Sequence, residues 1–289
     1  MRNLHSYSVD ILYENRLKQL NMNKKQLLIL GTIARSGTHY SKFLIGNYLK
    51  LAAGNSDGSL TGEEMYSMLP NRWYKSYLNV RNMPFGSIWP DEYKKPTPHL
   101  ELLGLQDIAR SHEIYQTRFW DDSPVLHLYR NPLDYAVSIY YYMYKNRQGA
   151  IKVKSPVEVL DLRFNSYVRM YMSYRMAARA GNAKLLRISY EDLKRYPETC
   201  LRIILRWLGV EPRDSLVNLA VQYSAIKNVK KLEEAGGVVN PTATSLKGKF
   251  ARDGSIGQWK KYFNNTDINR FRQKFKDVGI SLDEFTLEP

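Results

Sequence analysis

The chain has a single cysteine, Cys200, among 289 residues. No internal disulfide can form, which fits a reducing compartment. No stretch approaches the ~18 uninterrupted apolar residues of a membrane-spanning helix, so none is expected. Met1 to Lys25 is polar and mixed in charge, without an apolar run ending at a small-residue cleavage site. A secretory leader is therefore not expected, and the expected location is cytoplasmic. Internal repeats, low-complexity tracts and linker-like boundaries are also missing, which predicts one domain over 1–289 with an N-terminal extension at 1–25. A hydrophobic fraction of 44% and a charged fraction of 25% are ordinary for a globular protein with a sizeable core.

Acidic residues are scarce: 28 Asp and Glu against 43 Lys and Arg, a net charge of +15. Such a field favours an anionic partner. The basic residues are scattered, so charge alone leaves nucleic acid, acidic lipid and a small polyphosphorylated ligand all open.

The pattern along the chain alternates strands with helices. Leu27-Leu28-Ile29-Leu30-Gly31 reads as a buried parallel strand. It runs through Thr32 to Tyr40 into a helix carrying Phe43, Leu44, Tyr48 and Leu51 and ending at Gly54. Thr61-Gly62-Glu63-Glu64 has capping-box spacing. Pro70 to Pro98 shows no period and is expected to be irregular covering structure. A second strand is predicted over Pro124 to Tyr129, then a helix capped by Asn131 with Pro132 at its first position. Ser155-Pro156-Val157-Glu158 repeats that start signal for a long helix closing near Gly181. A third strand is expected at Lys184 to Ile188, a helix from Pro197 to Leu208 closed by Gly209, and a C-terminal helix at about 266–279. This alternation predicts an α/β fold, a central parallel sheet with helices on both faces.

Two constellations carry chemistry. Strand, polar glycine turn and helix together aim backbone N–H groups and the helix dipole at a phosphate. Arg35 adds a charge there, and Ser36 and Thr38 add hydroxyls around Gly37. An ATP-type loop needs G-x-x-x-x-G-K-[ST]; here Gly31 and Gly37 are one residue too far apart and Thr38 stands where the lysine belongs. No second carboxylate cluster announces a magnesium site, so no metal is expected. In Tyr129-Arg130-Asn131-Pro132-Leu133-Asp134-Tyr135-Ala136-Val137-Ser138, Arg130 leaves a strand end and Ser138 lies two turns along the next helix. A guanidinium and a hydroxyl converging there suit a phosphate monoester. Two anion sites on neighbouring strand ends imply a ligand with two separated anionic groups.

With these segments in view, the chain resembles the cytosolic-type sulfotransferases that use 3′-phosphoadenosine 5′-phosphosulfate, a modified P-loop family. Their Pro-Lys-Ser-Gly-Thr-Thr-Trp loop is matched by Ala34-Arg35-Ser36-Gly37-Thr38-His39-Tyr40. Their Arg-Asn-Pro-x-Asp-x-x-x-Ser segment is matched completely by Arg130 to Ser138. Tyr-Glu-Asp-Leu-Lys is matched by Tyr190 to Lys194. Arg-Lys-Gly followed by Gly-x-Trp-Lys is matched by Arg252-Asp253-Gly254 and Gly257-Gln258-Trp259-Lys260. The motifs span Leu27 to Phe263; 41–105 and 145–183 show little resemblance, and acceptor specificity is expected there.

The resemblance implies a single-domain P-loop-like fold and in-line sulfuryl transfer to a hydroxyl or amine, with no metal. It implies that Arg35 and the loop N–H groups of Ser36 to Thr38 stabilise the leaving oxygen and 5′-phosphate, with His39 beside the donor. Arg130, Ser138 and Arg252, with the Gly254 backbone, would hold the 3′-phosphate. Tyr40, Tyr190, Ser224 and Ile226 would form the adenine pocket. His112, in Arg110-Ser111-His112, matches the segment that carries the family's histidine base, and His99 is the second candidate. His127 lies inside a strand and is expected to be core. Three departures stand out: Arg35 for the loop lysine, Tyr40 for the tryptophan, and Asp253 for the clamp lysine, which brings a carboxylate toward a phosphate. The family's C-terminal dimerisation motif is missing, so the oligomeric state is open. The acceptor is open among small molecules, sugars and lipids, as is peripheral membrane contact. The rivals are a P-loop nucleotide kinase, which the missing Gly-Lys-Ser/Thr disfavours, and a basic nucleic-acid-binding protein, which predicts clustered Lys and Arg with exposed aromatics.

Overall fold

The structure, a computed structural model, describes residues 27–55, 58–61, 64, 99–120, 122–145, 153–234 and 254–285. The expected N-terminal extension, the stretch from Pro70 to Pro98, and the clamp residues Arg252 and Asp253 lie outside the described residues.

Four parallel strands form the sheet: β1 (Leu27–Thr32), β2 (Asp107–Ser111), β3 (Val125–Tyr129) and β4 (Leu185–Ser189). Their order is β2-β1-β3-β4. β1 pairs with β2 from Leu27↔Asp107 to Gly31↔Ser111, and with β3 from Ile29↔Val125 to Thr32↔Leu128. The period-two alternation of a strand sends Leu27 and Ile29 into one core and Leu28 and Leu30 into the other. Both faces are therefore covered, as the near-continuous apolar run of β1 predicts.

Helix α1 (Thr38–Ala52), the short α2 (Thr117–Trp120), α3 (Pro132–Ile139) and α4 (Pro156–Arg179) follow along the chain. Then come α5 (Tyr190–Arg195), α6 (Pro197–Trp207), α7 (Asp214–Tyr223), α8 (Ile226–Glu234) and α9 (Asn265–Asp277). One core joins the sheet to α3, α4 and α9; the other joins it to α1, α6 and α7. The helix starts form as the sequence indicates. The Asn131 side chain accepts from the N–H groups of Leu133 and Asp134, and the Ser155 side chain from that of Glu158. Thr61 and Glu64 exchange the reciprocal bonds of a capping box, at 2.7 and 3.1 Å; the helix expected beyond them lies outside the described residues.

Two elements depart from expectation. β2 is a strand that the sequence pattern did not announce, because Asp107, Arg110 and Ser111 break its apolar run. After α3 the chain widens into a π-helical turn at Tyr140–Lys145, directly past Ser138. One close approach fixes the topology near the site. A side chain on Gly31 would run into the Tyr174 ring, which stacks on His127 with centroids 3.8 Å apart. His127 is fully buried and its Nδ1 lies 2.6 Å from the Gly31 carbonyl, so it is the core residue expected. Among the described residues, no helix is long and apolar enough to cross a membrane.

Candidate active site

The C-terminal ends of β1, β2 and β3 converge, and each delivers one element of the site. Past β1 the chain turns sharply: the Ser36 N–H donates to the Ile33 carbonyl at 3.1 Å, and Arg35 and Gly37 both adopt positive φ, 66° and 91°. For arginine that conformation is costly, so the surrounding contacts must hold it. Gly37 is needed twice, because a Cβ there would stand 2.8 Å from the Tyr190 ring. The turn aims the opening N–H groups of α1 outward, and the first turn of α1 has no acidic side chain to satisfy them. The Ser36 hydroxyl is fully buried and has no hydrogen-bond partner among the described residues.

β3 delivers Arg130, whose guanidinium stacks on Tyr190 at 4.2 Å. It donates to the Arg35 carbonyl at 3.3 Å and the Ser255 carbonyl at 3.1 Å, while its buried Nε has no partner among the described residues. Arg35 in turn donates from Nε to Ser138 Oγ at 3.2 Å and lies over the Tyr142 ring at 4.6 Å. Read as two anion sites in the sequence, the constellations form one continuous cradle.

Asp134, quoted in the motif without a role, organises the other wall. Its carboxylate accepts from the N–H groups of Gly257, at 2.6 Å, and Trp259, at 3.0 Å. That ties the C-terminal segment to α3 and brings Gly254 to the site. Tyr190 Oη donates to the Gly254 carbonyl at 2.8 Å, and a Cβ on Gly254 would meet Ile226 at 3.4 Å. Tyr190, Ile226 and Gly254 therefore come together. Tyr40 is half-buried with Lys194 Nζ 4.8 Å from its ring centre, and its hydroxyl is pushed up chiefly by burial. Ser224 differs: it is fully buried, donating to the Ala220 carbonyl at 2.7 Å and accepting from Asn47 Nδ2 at 3.0 Å. Its hydroxyl joins α1 to the end of α7.

β2 delivers His112 directly after Ser111. Its Nδ1 lies 2.6 Å from the Thr32 carbonyl and 3.2 Å from Thr32 Oγ1. A carbonyl can only accept, so Nδ1 carries the proton and Nε2 is the ring's basic nitrogen. Burial holds His112 below the ordinary histidine pKa with Arg110 adding to it, while the Thr32 carbonyl works the other way. Thr38 Oγ1 donates to Thr32 Oγ1 at 2.9 Å, so Thr32 links the loop to the imidazole. No sequence signal marked Thr32. His39 also packs here, held well below its ordinary pKa by burial and by Lys42, Arg110, Arg35 and His112. Lys42, 1% exposed, is pushed down to about 7, mainly by burial with Arg110 adding and Asp107 opposing. His99 sits apart in the sequence of elements, at the start of a 3-10 turn over Leu100–Leu103 with φ 65°.

The chain has known relatives. Residues 24–283 match the family model of the sulfotransferase domain, and the chain belongs to that family. It is 24% identical over 272 residues to Sulfotransferase 2B1 of Rattus norvegicus, covering 89% of this chain and 72% of that one. It is 25% identical over 267 residues to Cytosolic sulfotransferase 14 of Arabidopsis thaliana, covering 84% and 72%. Its fold is similar to that of mouse sulfotransferase SULT7A1 complexed with PAP, with a TM-score of 0.61, 17% identity, and 96% and 92% of the two chains covered. Retinol dehydratase in complex with androsterone and PAP is similar at a TM-score of 0.60 and 17% identity, with 96% and 88% covered. The parallel sheet flanked by helices is thus the P-loop-like fold of the sulfotransferases.

Proposed function

We propose that the protein transfers a sulfuryl group from 3′-phosphoadenosine 5′-phosphosulfate to a hydroxyl-bearing small molecule, with His112 as general base. One observation carries the reading: three adjacent strand ends bring together a positive-φ loop arginine, a second buried arginine and a histidine whose tautomer is fixed. Buried groups without partners among the described residues, Ser36 Oγ and Arg130 Nε, are donors fit for phosphate oxygens.

The donor supplies an activated sulfur whose bond to the 5′-phosphate oxygen breaks as the acceptor oxygen bonds to it. His112 Nε2 takes the acceptor's proton, since Nδ1–H is committed to the Thr32 carbonyl. Arg35 and the N–H groups of Ser36 to Thr38 stabilise charge gathering on the 5′-phosphate. Arg130, Ser138 and the Gly254 backbone hold the 3′-phosphate, with Arg252 completing the clamp. Tyr190, Ile226 and Tyr40 enclose the purine, and Ser224 supports that wall from behind through Asn47. The half-buried Tyr142, resting on Arg35, lines the acceptor side. Catalysis here is mostly positioning and charge stabilisation, as in phosphoryl transfer.

The test is transfer of labelled sulfuryl from the donor across a panel of alcohols, with His112→Ala and His99→Ala in parallel. His112→Ala is expected to lower kcat by about 10²–10⁴-fold with donor affinity nearly intact. The lowered pKa of His112 puts the rise in rate below the ordinary ~6.5, leaving a plateau through neutral pH. Full activity in His112→Ala with loss in His99→Ala would reassign the base. Turnover of ATP with magnesium in place of sulfuryl transfer would favour a kinase.

A further inference from the structure

The second residue of α5, Glu191, takes no part in the chemistry above, yet it lies within the cradle. It is 5% exposed. Its Oε1 accepts the Asn131 N–H at 3.2 Å, while the buried Oε2 has no hydrogen-bond partner among the described residues. An unpartnered carboxylate oxygen in a buried site is costly in its charged form and far less so as a neutral acid.

The groups that face it come from several elements. From the end of β3 come Arg130 and Tyr129, from α3 Asp134, from α4 Tyr167, and beside it on its own helix Tyr190. Arg130 is the one cation among them. Its near carboxylate is Asp134, at 4.0 Å, which is itself bound to the Gly257 and Trp259 N–H groups. One guanidinium thus answers to two buried carboxylates before any ligand arrives. Burial already pushes Glu191 up to about 7 with Asp134 adding to the shift, while its own backbone N–H, Arg130 and the Asn131 amide oppose it.

A phosphate dianion beside Arg130 adds two more negative charges to this cluster. Resting on the donor reading above, we propose that Glu191 takes up a proton when the nucleotide's 3′-phosphate binds, so that the site accepts this dianion in company with a neutral carboxyl. Glu191 then governs affinity for donor and desulfated product alike. Both bind more weakly as pH rises above neutrality, and product release quickens.

Isothermal titration of 3′,5′-diphosphoadenosine at pH 8, in two buffers of different ionisation enthalpy, tests this. The second ionisation of a phosphate monoester lies near ~6, so at that pH a proton taken up must land on the protein. Wild-type protein is expected to take up a large fraction of one proton, with Kd rising up to about tenfold per pH unit between pH 7.5 and 8.5. Glu191→Gln keeps an acceptor for Asn131 and is expected to lose the uptake, flatten the pH dependence and bind more tightly than wild type at pH 8.5. Adenosine 5′-phosphate reports uptake by His39, Lys42 and His112 near the 5′ side, and its uptake should be unchanged by Glu191→Gln. Binding of the diphosphate to wild-type protein without uptake overturns the proposal, as does equal uptake in Glu191→Gln. The wild-type measurement decides even where the variant does not fold. Failure of the diphosphate to bind at any pH overturns the donor reading, and the proposal with it.

Discussion

Arg130→Ala is the perturbation that bears most directly on how the cradle divides its work. The guanidinium makes two backbone bonds, to the Arg35 and Ser255 carbonyls, and keeps a buried Nε with no partner among the described residues. A phosphate at that position would gain charge-assisted, fork-like bonds, each worth about 1.5–3 kcal/mol where one partner is charged. Loss of one such net contribution corresponds to a roughly 10- to 150-fold weaker Kd for 3′,5′-diphosphoadenosine. Truncation also frees the Arg35 carbonyl, so the loop relaxes and adenosine 5′-phosphate loses some affinity too. The difference between the two nucleotides removes that shared structural part. Calorimetric titration of both ligands against wild type, Arg130→Ala and Arg130→Lys gives it, with circular dichroism to check folding. Arg130→Lys retains charge without the planar fork and should fall between the other two. Equal losses for both nucleotides would refute the assignment of Arg130 to the 3′-phosphate.

Two further predictions concern how the site is held. Asp134→Ala removes the acceptor for the Gly257 and Trp259 N–H groups, and each buried donor left unsatisfied costs about 1–3 kcal/mol. A lower Tm and weaker diphosphate binding are expected together, and an unchanged Tm would mean that the segment is held by other contacts. Gly31→Ala places a Cβ 2.7 Å from Tyr174 Cε1 and Cζ, against a ring pinned by His127 and by its bond to the Glu113 carbonyl. Overpacking of about 1–3 kcal/mol should lower Tm by several degrees, with partial recovery in Gly31→Ala/Tyr174→Phe; a wild-type Tm for the single variant would show that the ring moves freely.

How much of this was legible in the sequence depends on the range of the interaction. β1, α1, β3, α3, α4 and α6 follow from apolar runs, caps and punctuating glycines, all local signals, and they form where the pattern puts them. Arg130 and Ser138 were legible for the same reason, since strand end and helix turn fix their offset within nine residues of chain. β2 was not. Its five residues hold two apolar ones, Ile108 and Ala109, and its strand conformation comes from backbone pairing with β1, eighty residues away. Missing β2 meant missing the register that sets His112 beside Thr32 and so fixes its tautomer. The partners of Ser224 were illegible on the same account. Its type and spacing suited a pocket wall, but whether a serine faces ligand or core is decided by Asn47, in a different helix.

Glu191 shows where reading by motif stops and reading by environment begins. In the sequence it is one letter of Tyr-Glu-Asp-Leu-Lys, and its neighbour Asp192 looks equally acidic. The structure separates them by their partners. Ser189 caps the start of α5 by accepting the Asp192 N–H, and its hydroxyl donates to the Asp192 carboxylate at 2.5 Å, at a helix end where negative charge is welcome. Glu191 turns inward to the Asn131 amide and the Arg130–Asp134 pair, where a second negative charge is not. Two adjacent carboxylates thereby meet opposite surroundings, because helical geometry points successive side chains about 100° apart. A nucleotide site that must let go of a product as highly charged as its donor gains from a carboxyl that resists ionisation while the phosphate is bound. It then ionises as the phosphate leaves.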